Sequence, residues 1–251
     1  MRIVHISDIH VAERHFIREL MERVIERVNS LKPEILVLTG DLTDSGYLYE
    51  FEDAKAFIER FECERRVVVP GNHDARNVGY LYFEDIFGAR SSVLNHKGVT
   101  VVAVDSTQPD LDEGHIGRDK YDWIRKSLQN AGDDLKIFAL HHHLLPVPYT
   151  GRERNILTDA GDVLKLLNDC NVNLVLCGHK HVSWVWVLNN MIVLNAGTAC
   201  TNRLKYRILP SFNLIEVKDT DDPNKKRIQV RRIYSKDGSE IYVLDKIIEK
   251  S

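Results

Sequence analysis

Apolar positions along this chain follow two spacings, one typical of helices and one typical of buried strands. Hydrophobic side chains recur every three or four residues between Phe16 and Val28, which predicts an amphipathic helix of about four turns. Lys32-Pro33 ends this pattern, and residues 35–38 form a short apolar run of the buried-strand type. The alternation of apolar runs and helical stretches continues to residue 177 and predicts a sheet built from β-α units.

The pattern changes after residue 181, where apolar segments follow one another without helical stretches between them. Five strands are predicted there, at 182–188, 191–194, 212–217, 228–233 and 241–244. A β-α half followed by a β-rich half predicts an α/β fold of two packed, mixed β-sheets flanked by helices, a four-layer α/β/β/α sandwich. We therefore predict one domain over residues 1–251, with the β-α half at about 1–181 and the second sheet formed by about 182–251.

Composition narrows the class of protein. The chain has 251 residues, of which 43% are hydrophobic and 28% charged, as is typical of a globular protein with a sizeable core. Its formal net charge of −3 speaks against a broadly basic surface and therefore against general nucleic-acid binding. No apolar run reaches the ~20 residues of a membrane span, and the cysteines form no CxxC pair. The predicted strand at residues 2–6 leaves no room for a cleavable signal, so we expect a cytoplasmic protein with reduced thiols.

Five short polar motifs each follow the end of a predicted strand. They are Asp8-Ile9-His10, Gly40-Asp41, Gly71-Asn72-His73-Asp74, His141-His142-His143 and Gly178-His179-Lys180-His181. Because ligands bind outside the carboxyl ends of strands in such sheets, we expect these side chains to converge on one rim. Asp, Asn and His supply the oxygen and nitrogen donors that suit Mn, Fe, Co, Ni or Zn. The number of donor side chains exceeds the number of ligands that one ion binds, so the pattern predicts a two-metal hydrolase.

Some residues near these motifs are open to more than one interpretation. In the histidine triplet, His141 is the predicted ligand because it directly follows the strand, whereas its two neighbours either face the substrate or pack. The turn at residues 195–198 lies near the expected rim and is either a substrate contact or a simple turn. The loop at 151–155 is either a lid over the site, with Arg152 or Arg154 pairing with phosphate, or a solvated loop.

The order of the five motifs resembles that of the calcineurin-like metallophosphoesterase superfamily, and the likeness spans Asp8 to His181. Within the superfamily the chain is most similar to the class III cyclic-nucleotide-phosphodiesterase-like branch. The residues that carry this second resemblance are Val104-Asp105-Ser106, Gly117 with Trp123 and Leu128, and His141-His142-His143-Leu144-Leu145-Pro146. The β-rich remainder of the chain is similar to the family's second sheet.

The resemblance implies a ligand set for two divalent or transition metal ions, which would be Mn, Fe, Zn, Co or Ni. The implied ligands are Asp8, His10 and His181 for the first ion, Asn72, His141 and His179 for the second, and Asp41 as the bridge between both. The bridge agrees with ligand chemistry, since a carboxylate has two oxygens whereas an imidazole offers one lone pair. His73 resembles the family's catalytic histidine, and Asp74 would hold its ring nitrogen.

The function implied by the resemblance is hydrolysis of a small phosphodiester, cyclic-nucleotide-like or otherwise, through in-line attack by metal-bound hydroxide. The alternatives are a metal-dependent nuclease, a pyrophosphatase acting on nucleotide-linked substrates, and a non-enzymatic interaction module of the same fold. An intact His73 and a complete ligand set speak against the interaction module. We expect no membrane partner. The oligomeric state stays open, with a homodimer among the options.

Overall fold

The computed structural model of the protein describes residues 1–12, 14–150, 155–205 and 208–250. Within these ranges the chain forms five helices, α1 Arg18–Leu31, α2 Leu48–Ile58, α3 Gly79–Phe87, α4 Arg118–Asn130 and α5 Ala160–Asp169. The strands of the same ranges are β1 Arg2–Ile6, β2 Ile35–Thr39, β3 Arg66–Val69, β4 Ser92–His96, β5 Val99–Ala103, β6 Leu135–Ala139, β7 Leu174–Cys177, β8 Trp184–Leu188, β9 Met191–Asn195, β10 Ser211–Asp219, β11 Lys225–Tyr234 and β12 Glu240–Glu249. None of these helices is long and apolar enough to cross a membrane.

Two six-stranded sheets form the centre of the molecule, and both are mixed. The strand order is β12-β11-β10-β1-β2-β3 in the first sheet and β4-β5-β6-β7-β9-β8 in the second. In the first sheet, β1 pairs in parallel with β2, and β2 pairs in parallel with β3. In the second sheet, parallel pairs join β5 to β6, β6 to β7 and β7 to β9. Antiparallel strands extend both sheets, with β10 to β12 in the first and with β4 and β8 at the edges of the second. The predicted sandwich of two mixed sheets is confirmed.

The four layers follow from the alternation of side chains along each strand. In β1, Val4 and Ile6 pack into a hydrophobic cluster with α1, α2 and α3, whereas Ile3 joins the cluster between the two sheets. In β5, Val101 joins the cluster between the sheets and Val102 packs with α4 and α5. Each central strand is therefore buried on both faces, which explains its nearly continuous apolar sequence.

The sequence interpretation expected the β-rich half to form the second sheet by itself, and this expectation is wrong. β8 and β9 complete the second sheet beside β7, whereas β10, β11 and β12 extend the first sheet beside β1. The pairing of β10 with β1, in which Ile215 lies opposite Ile3, supplies hydrogen-bond partners to an otherwise open edge of β1. The apolar pattern also does not reveal α3 and β4, because α3 is short and β4 is only half-buried.

Candidate metal centre

The five polar motifs occupy the loops that follow β1, β2, β3, β6 and β7, and these loops meet at one end of the two sheets. Donor atoms from side chains far apart in the sequence lie within 4.8 Å of one another there. They form two groups that share one carboxylate, namely Asp8, His10, Asp41 and His181, and Asp41, His141 and His179. The predicted convergence of the motifs on one rim is therefore present in the structure.

Close contact between the loops after β2 and β3 explains two of the motif glycines. A Cβ atom on Gly71 would lie 2.2 Å from the backbone nitrogen of Asp41 and 2.2 Å from its Oδ1 atom. A Cβ atom on Gly40 would lie 2.4 Å from the backbone nitrogen of Gly71, and Gly40 also has a φ of +83°. Any larger residue would push the two loops apart. The glycines therefore allow Asp41 and Asn72 to share one site.

Several of the predicted ligands have a strained backbone. Five of the predicted ligands have positive φ, namely Asp8 (54°), His10 (50°), Asp41 (51°), His179 (71°) and His181 (55°). In this left-handed region the Cβ atom crowds the following carbonyl oxygen, which costs roughly 1–2 kcal/mol for each residue. Such strained positions persist where the surrounding structure enforces them, and they are concentrated at functional sites.

The first donor cluster combines the buried side chains of Asp8, His10, Asp41 and His181. The Nε2 atoms of His10 and His181 lie 3.0 Å apart, and His181 Nε2 lies 3.3 Å from Asp8 Oδ1. His10 Nε2 lies 3.6 Å from Asp41 Oδ2. The carboxylate of Asp8 also accepts the backbone N–H of His179 at 3.1 Å, which fixes its orientation.

The second donor cluster combines Asp41, His141 and His179 with the amide oxygen of Asn72. Asn72 Oδ1 lies 2.9 Å from His179 Nδ1 and 3.1 Å from His141 Nε2. Asp41 Oδ2 lies 3.3 Å from His141 Nε2, so the oxygen that faces the first cluster also faces the second. The structure thus brings together the side chains implied for each of two ions, and their binding of metal stays a prediction.

The hydrogen bonds of the histidines make both clusters suited to cations. His141 Nδ1 donates to the carbonyl of Thr39 at 2.6 Å, and His181 Nδ1 donates to the carbonyl of Arg203 at 2.9 Å. The Nε2 lone pairs of both rings therefore point at oxygen atoms, which repel them unless a cation lies between. Against the lowering effect of burial, Asp41 raises the pKa of His141 to about 9, so a proton is drawn to this point. A divalent metal ion would replace that proton, and the donor set fits such an ion.

His73 lies beside the first cluster, with its ring centroid 4.6 Å from that of His10. Its Nδ1 donates to the carbonyl of Asp44 at 2.6 Å and lies 3.5 Å from the Oδ1 atom of Asp44. Burial acts to lower the pKa of His73, but Asp41 and then Asp44 outweigh it, and the pKa is raised. His73 therefore keeps a proton more readily than a free imidazole does. The sequence interpretation missed Asp44, whose only signal is a carboxylate three residues after Asp41.

Asp74 does not hold the ring of His73, contrary to the sequence interpretation. Its Oδ1 atom accepts the N–H and the hydroxyl of Thr43, both at 2.8 Å. Its Oδ2 atom accepts the backbone N–H groups of Leu42 and Gly71 at 3.1 and 2.8 Å. Side chains of consecutive residues leave the backbone in different directions, so sequence adjacency does not bring the carboxylate to the neighbouring ring. Asp74 instead ties together the loops after β2 and β3.

The other two histidines of the triplet pack against the site. His142 Nε2 donates to the carbonyl of Asp112 at 3.2 Å, and its Nδ1 lies 2.8 Å from the hydroxyl of Ser106. Burial lowers the pKa of His142 to about 3, so the ring is neutral. The ring of His143 is nearly parallel to that of His179, at 13° and with centroids 5.7 Å apart. Both rings therefore support the residues around them, which is one of the two roles the sequence left open.

The amide of Asn72 is oriented by a carboxylate from a distant loop. Asn72 Nδ2 donates to Asp112 Oδ1 at 3.1 Å, which directs the amide oxygen toward the second donor cluster. Arg76 donates to the same oxygen of Asp112 at 3.2 Å and to the carbonyl of Asp44 at 3.1 Å. That carbonyl also accepts the ring N–H of His73. One guanidinium group therefore connects the residue that orients Asn72 with the residue that orients His73.

The turn at residues 195–198 supports the loop after β1. The hydroxyl of Thr198 donates to the carbonyl of Asp8 at 2.8 Å, and the Thr198 side chain is buried. This contact gives the turn a structural role, and a contact with substrate stays a prediction.

Most of the predicted lid, including Arg152 and Arg154, lies outside the described residues.

The two clusters open into a small cavity of about 90 Å³. Its lining outside the ligand set consists of His73, Arg76, Asp112, Asn155, Lys180, Arg203 and Lys205. A larger cavity of about 410 Å³ lies elsewhere, between α1 and the turn after β11, and none of its described lining residues is a histidine. Because candidate ligands and titratable groups with shifted pKa values converge on the smaller cavity, this cavity is the candidate active site.

The chain is similar in sequence to known proteins over the part that carries the site. A sequence profile of the family described as calcineurin-like phosphoesterase matches residues 1–183. A probable cyclic nucleotide phosphodiesterase of Rhodococcus erythropolis is 29% identical over 214 residues, which cover 79% of this chain and 70% of that protein. A cAMP/cGMP dual specificity phosphodiesterase of Mycobacterium tuberculosis is 26% identical over 198 residues, which cover 72% of this chain and 62% of that protein.

The fold is also similar to that of solved structures over the whole chain. The crystal structure of a dimetal phosphatase from Danio rerio superimposes with a TM-score of 0.70 at 12% sequence identity. The superposition covers 100% of this chain and 99% of that chain. At this level of identity the likeness concerns the fold, and it includes the strands after residue 183 that the family profile does not reach.

Proposed function

The chain belongs to the calcineurin-like phosphoesterase family and is therefore a hydrolase, and from this premise we propose that it cleaves small phosphodiesters at a dinuclear metal centre. The match over residues 1–183 and the two phosphodiesterase relatives confirm the resemblance to the cyclic-nucleotide-phosphodiesterase-like branch. The choice of a diester follows the names of those relatives. The particular diester and the native metals are parts of the proposal.

One observation supports the proposal most directly, and it is the position of Asp41. Its Oδ2 atom lies 3.6 Å from His10 Nε2 and 3.3 Å from His141 Nε2, between the two donor clusters. A carboxylate in this position suits a bridge between two ions, which lie roughly 3.5–4 Å apart in such centres. Asp8, His10 and His181 would hold the first ion, and Asn72, His141 and His179 the second. When bound, the ions polarise the phosphoryl group and lower the pKa of the attacking water.

His73 is the residue that we propose as the general acid. Because Asp44 holds its Nδ1 atom, Nε2 is the ring nitrogen that carries a transferable proton. The raised pKa of His73 favours the protonated ring before the reaction begins. Water adds to phosphorus, one P–O ester bond breaks, the departing oxygen takes a proton from His73, and a proton of the water replaces it on the ring. The products are a phosphomonoester and an alcohol, or one ring-opened monoester when the diester is cyclic.

Two further parts of the proposal concern the metals and the compartment. Manganese or iron suits the mixed nitrogen and oxygen donors, as do zinc, cobalt and nickel. All four cysteines are buried free thiols, which supports a reducing compartment such as the cytoplasm.

Reconstitution of the metal-free protein tests the proposal. The protein is stripped with a chelator and assayed with bis-p-nitrophenyl phosphate and p-nitrophenyl phosphate after addition of Mn, Fe(II), Co, Ni or Zn. We expect metal-restored hydrolysis of the diester. His73→Ala should lower kcat by about 10²–10⁴-fold without changing the metal content. His96→Ala, in β4, is the matched control and should retain activity.

Each other outcome points to a different conclusion. Absence of turnover with every metal would contradict the enzymatic proposal and favour an interaction module. A strong preference for the monoester would overturn the substrate class while leaving the centre intact. Tight, salt-sensitive binding of DNA together with its cleavage would favour a nuclease.

A further inference from the structure

The ring of His142 lies next to the second donor cluster and is completely buried. It contacts the rings of two candidate ligands. The centroid of the His142 ring lies 5.1 Å from that of His141, with the ring planes at 86°, and 4.7 Å from that of His179, with the planes at 42°. In a close-packed interior such contacts restrict the rotation of both ligand rings. One side chain therefore packs against both histidines that are implied for the second ion.

The same ring also holds the third candidate ligand, through one intermediate residue. His142 Nε2 lies 3.2 Å from the backbone carbonyl of Asp112. Because a carbonyl oxygen only accepts, Nε2 carries the ring proton and donates it to this bond. The carboxylate of Asp112 accepts the amide N–H of Asn72 at 3.1 Å. His142 thus contacts His141 and His179 directly and fixes the loop residue that orients Asn72.

Ser106 and Gly114 determine the orientation of the His142 ring. The hydroxyl of Ser106 lies 2.8 Å from His142 Nδ1, and the backbone N–H of His142 donates to the same hydroxyl oxygen at 3.3 Å. In the neutral ring Nδ1 has a lone pair, which accepts the hydroxyl proton. A Cβ atom on Gly114 would lie 2.4 Å from His142 Cγ, so any larger residue there would displace the ring. The ring is therefore held in the one orientation in which all of these contacts are made.

Different residues hold the first donor cluster. The hydroxyl of Thr198 donates to the backbone carbonyl of Asp8 at 2.8 Å, and the carbonyl of Arg203 accepts the ring N–H of His181 at 2.9 Å. Both of these residues lie in the segment that follows β9, whereas His142 lies in the segment that follows β6. A change at His142 should therefore affect the ligands of the second ion and leave those of the first ion in place.

We propose, on the basis of the dinuclear centre above, that His142 is a positioning residue that determines the affinity of the second metal ion. It is not itself a ligand, because its two ring nitrogens bond to Ser106 and to the carbonyl of Asp112. Three ligands that are already oriented lose little rotational freedom when the ion binds, so the affinity is higher. Occupancy of the second ion at low metal concentration therefore depends on His142.

Metal titration of variants tests this role. The chelator-stripped protein is titrated with Mn(II) by isothermal calorimetry, and the bound metal is counted. We expect His142→Leu to keep one ion at the affinity of the natural protein and to bind the other about 10–100-fold more weakly. His142→Gln keeps an N–H that can reach the carbonyl of Asp112, and it should show a smaller loss. Gly114→Ala keeps the His142 ring but displaces it, and it should weaken the same ion.

Two further variants identify the ion that is affected. His10→Ala removes a candidate ligand of the first ion, and addition of His142→Leu should weaken the remaining ion about 10–100-fold. Asn72→Ala removes a candidate ligand of the second ion, and the same addition should leave the remaining ion unchanged. Leu128→Ala is the matched control, because it opens a cavity in the hydrophobic cluster at α4 and lowers stability without changing a contact of the centre.

The dependence of activity on metal concentration separates positioning from a general loss of structure. Excess manganese should restore most of the hydrolysis of bis-p-nitrophenyl phosphate by His142→Leu. Unchanged affinity for both ions in His142→Leu, equal weakening of both ions, or the same loss in Leu128→Ala would overturn the inference. Failure of the natural protein to bind two ions of any tested metal refutes the dinuclear centre instead.

Discussion

Asp112 accepts a hydrogen bond from the side-chain amide of Asn72 at 3.1 Å, although 40 positions separate the two residues in the sequence. This bond decides which end of the amide faces the second donor cluster, since nitrogen is a donor and only the oxygen can hold a metal ion. Outer contacts of this kind typically change metal affinity 10–100-fold. The loop that carries Asp112 is thus part of the centre, although none of the five motifs lies on it.

Removal of the Asp112 carboxylate should weaken metal binding. We expect Asp112→Ala to lower the affinity for the more weakly bound of two ions by about 10–100-fold, because the Asn72 amide is then free to rotate. Asp112→Asn keeps an acceptor oxygen and should recover most of the affinity. Isothermal titration of the metal-free protein measures both. Asp110→Ala is the matched control, since Asp110 lies on the same loop as Asp112 but accepts the backbone N–H of Asn77. Equal losses in the Asp110 and Asp112 variants would contradict the orienting role.

Removal of the Asp44 carboxylate should change the pH dependence of catalysis. Asp41 and Asp44 together raise the pKa of His73, so Asp44→Ala should lower it. The protonated ring is then lost at lower pH, and the alkaline limb of the pH–rate profile moves in the acid direction. We expect kcat at alkaline pH to fall by less than the about 10²–10⁴-fold that loss of the acid itself would cause. Asp53→Ala, on α2, should leave the limb in place. An unmoved limb in Asp44→Ala would refute this coupling.

Metal binding should stabilise the folded protein. The folded chain brings the donor atoms of both clusters together, whereas the unfolded chain does not, so the ions bind the folded state preferentially. At free metal about 100-fold above Kd, we expect a gain of about 2.7 kcal/mol and a rise in Tm of roughly 5–10 °C. Differential scanning fluorimetry with manganese and with a chelator measures the rise. Asp41→Asn should reduce it strongly, and an unreduced rise would place the ions elsewhere.

Buried His5 should make the fold sensitive to acid. Its Nε2 atom lies 2.9 Å from the hydroxyl of Thr39, and burial lowers the pKa of the ring from 6.5 to about 3. The unfolded chain takes up the proton below pH 6.5, so stability is complete above that pH and is lost as the pH falls toward 3. The slope is about 1.4 kcal/mol per pH unit. Urea unfolding of the metal-free protein between about pH 7 and pH 4.5 should show a shallower slope for His5→Gln. Identical slopes would exclude His5 as the source.

The sequence predicts which candidate ligands come together better than it predicts the residues that support them. The sequence could predict that Asp8, Asp41 and His141 lie at one edge of the sheet. Each of them follows an apolar run directly or closely, and the ends of parallel strands meet at one edge. Asp44 and Asp112 could not be placed, because their contacts depend on the paths of irregular loops. The error over Asp74 has the same origin, since adjacency in a turn does not determine the direction of a side chain.

The sheet assignment shows a second limit of the apolar pattern. The alternation along β10 is compatible with either sheet, and only the antiparallel pairing of β10 with β1 decides between them. Apolar periodicity describes which face of a strand is buried, but it does not identify the neighbouring strand. The number of strands after residue 181 could therefore be predicted, and their division between the two sheets could not.

The positions of β9 and β10 have a consequence for any shortened form of the protein. These strands lie next to β7 and β1, so both sheets depend on residues beyond the segment that matches the family profile. A chain cut after residue 183 would leave β1 and β7 with open edges in the middle of an apolar sheet. Such edges are templates for pairing between molecules, and aggregation is the expected result. The segment that carries nearly every recognisable motif therefore depends for its solubility on strands that carry none.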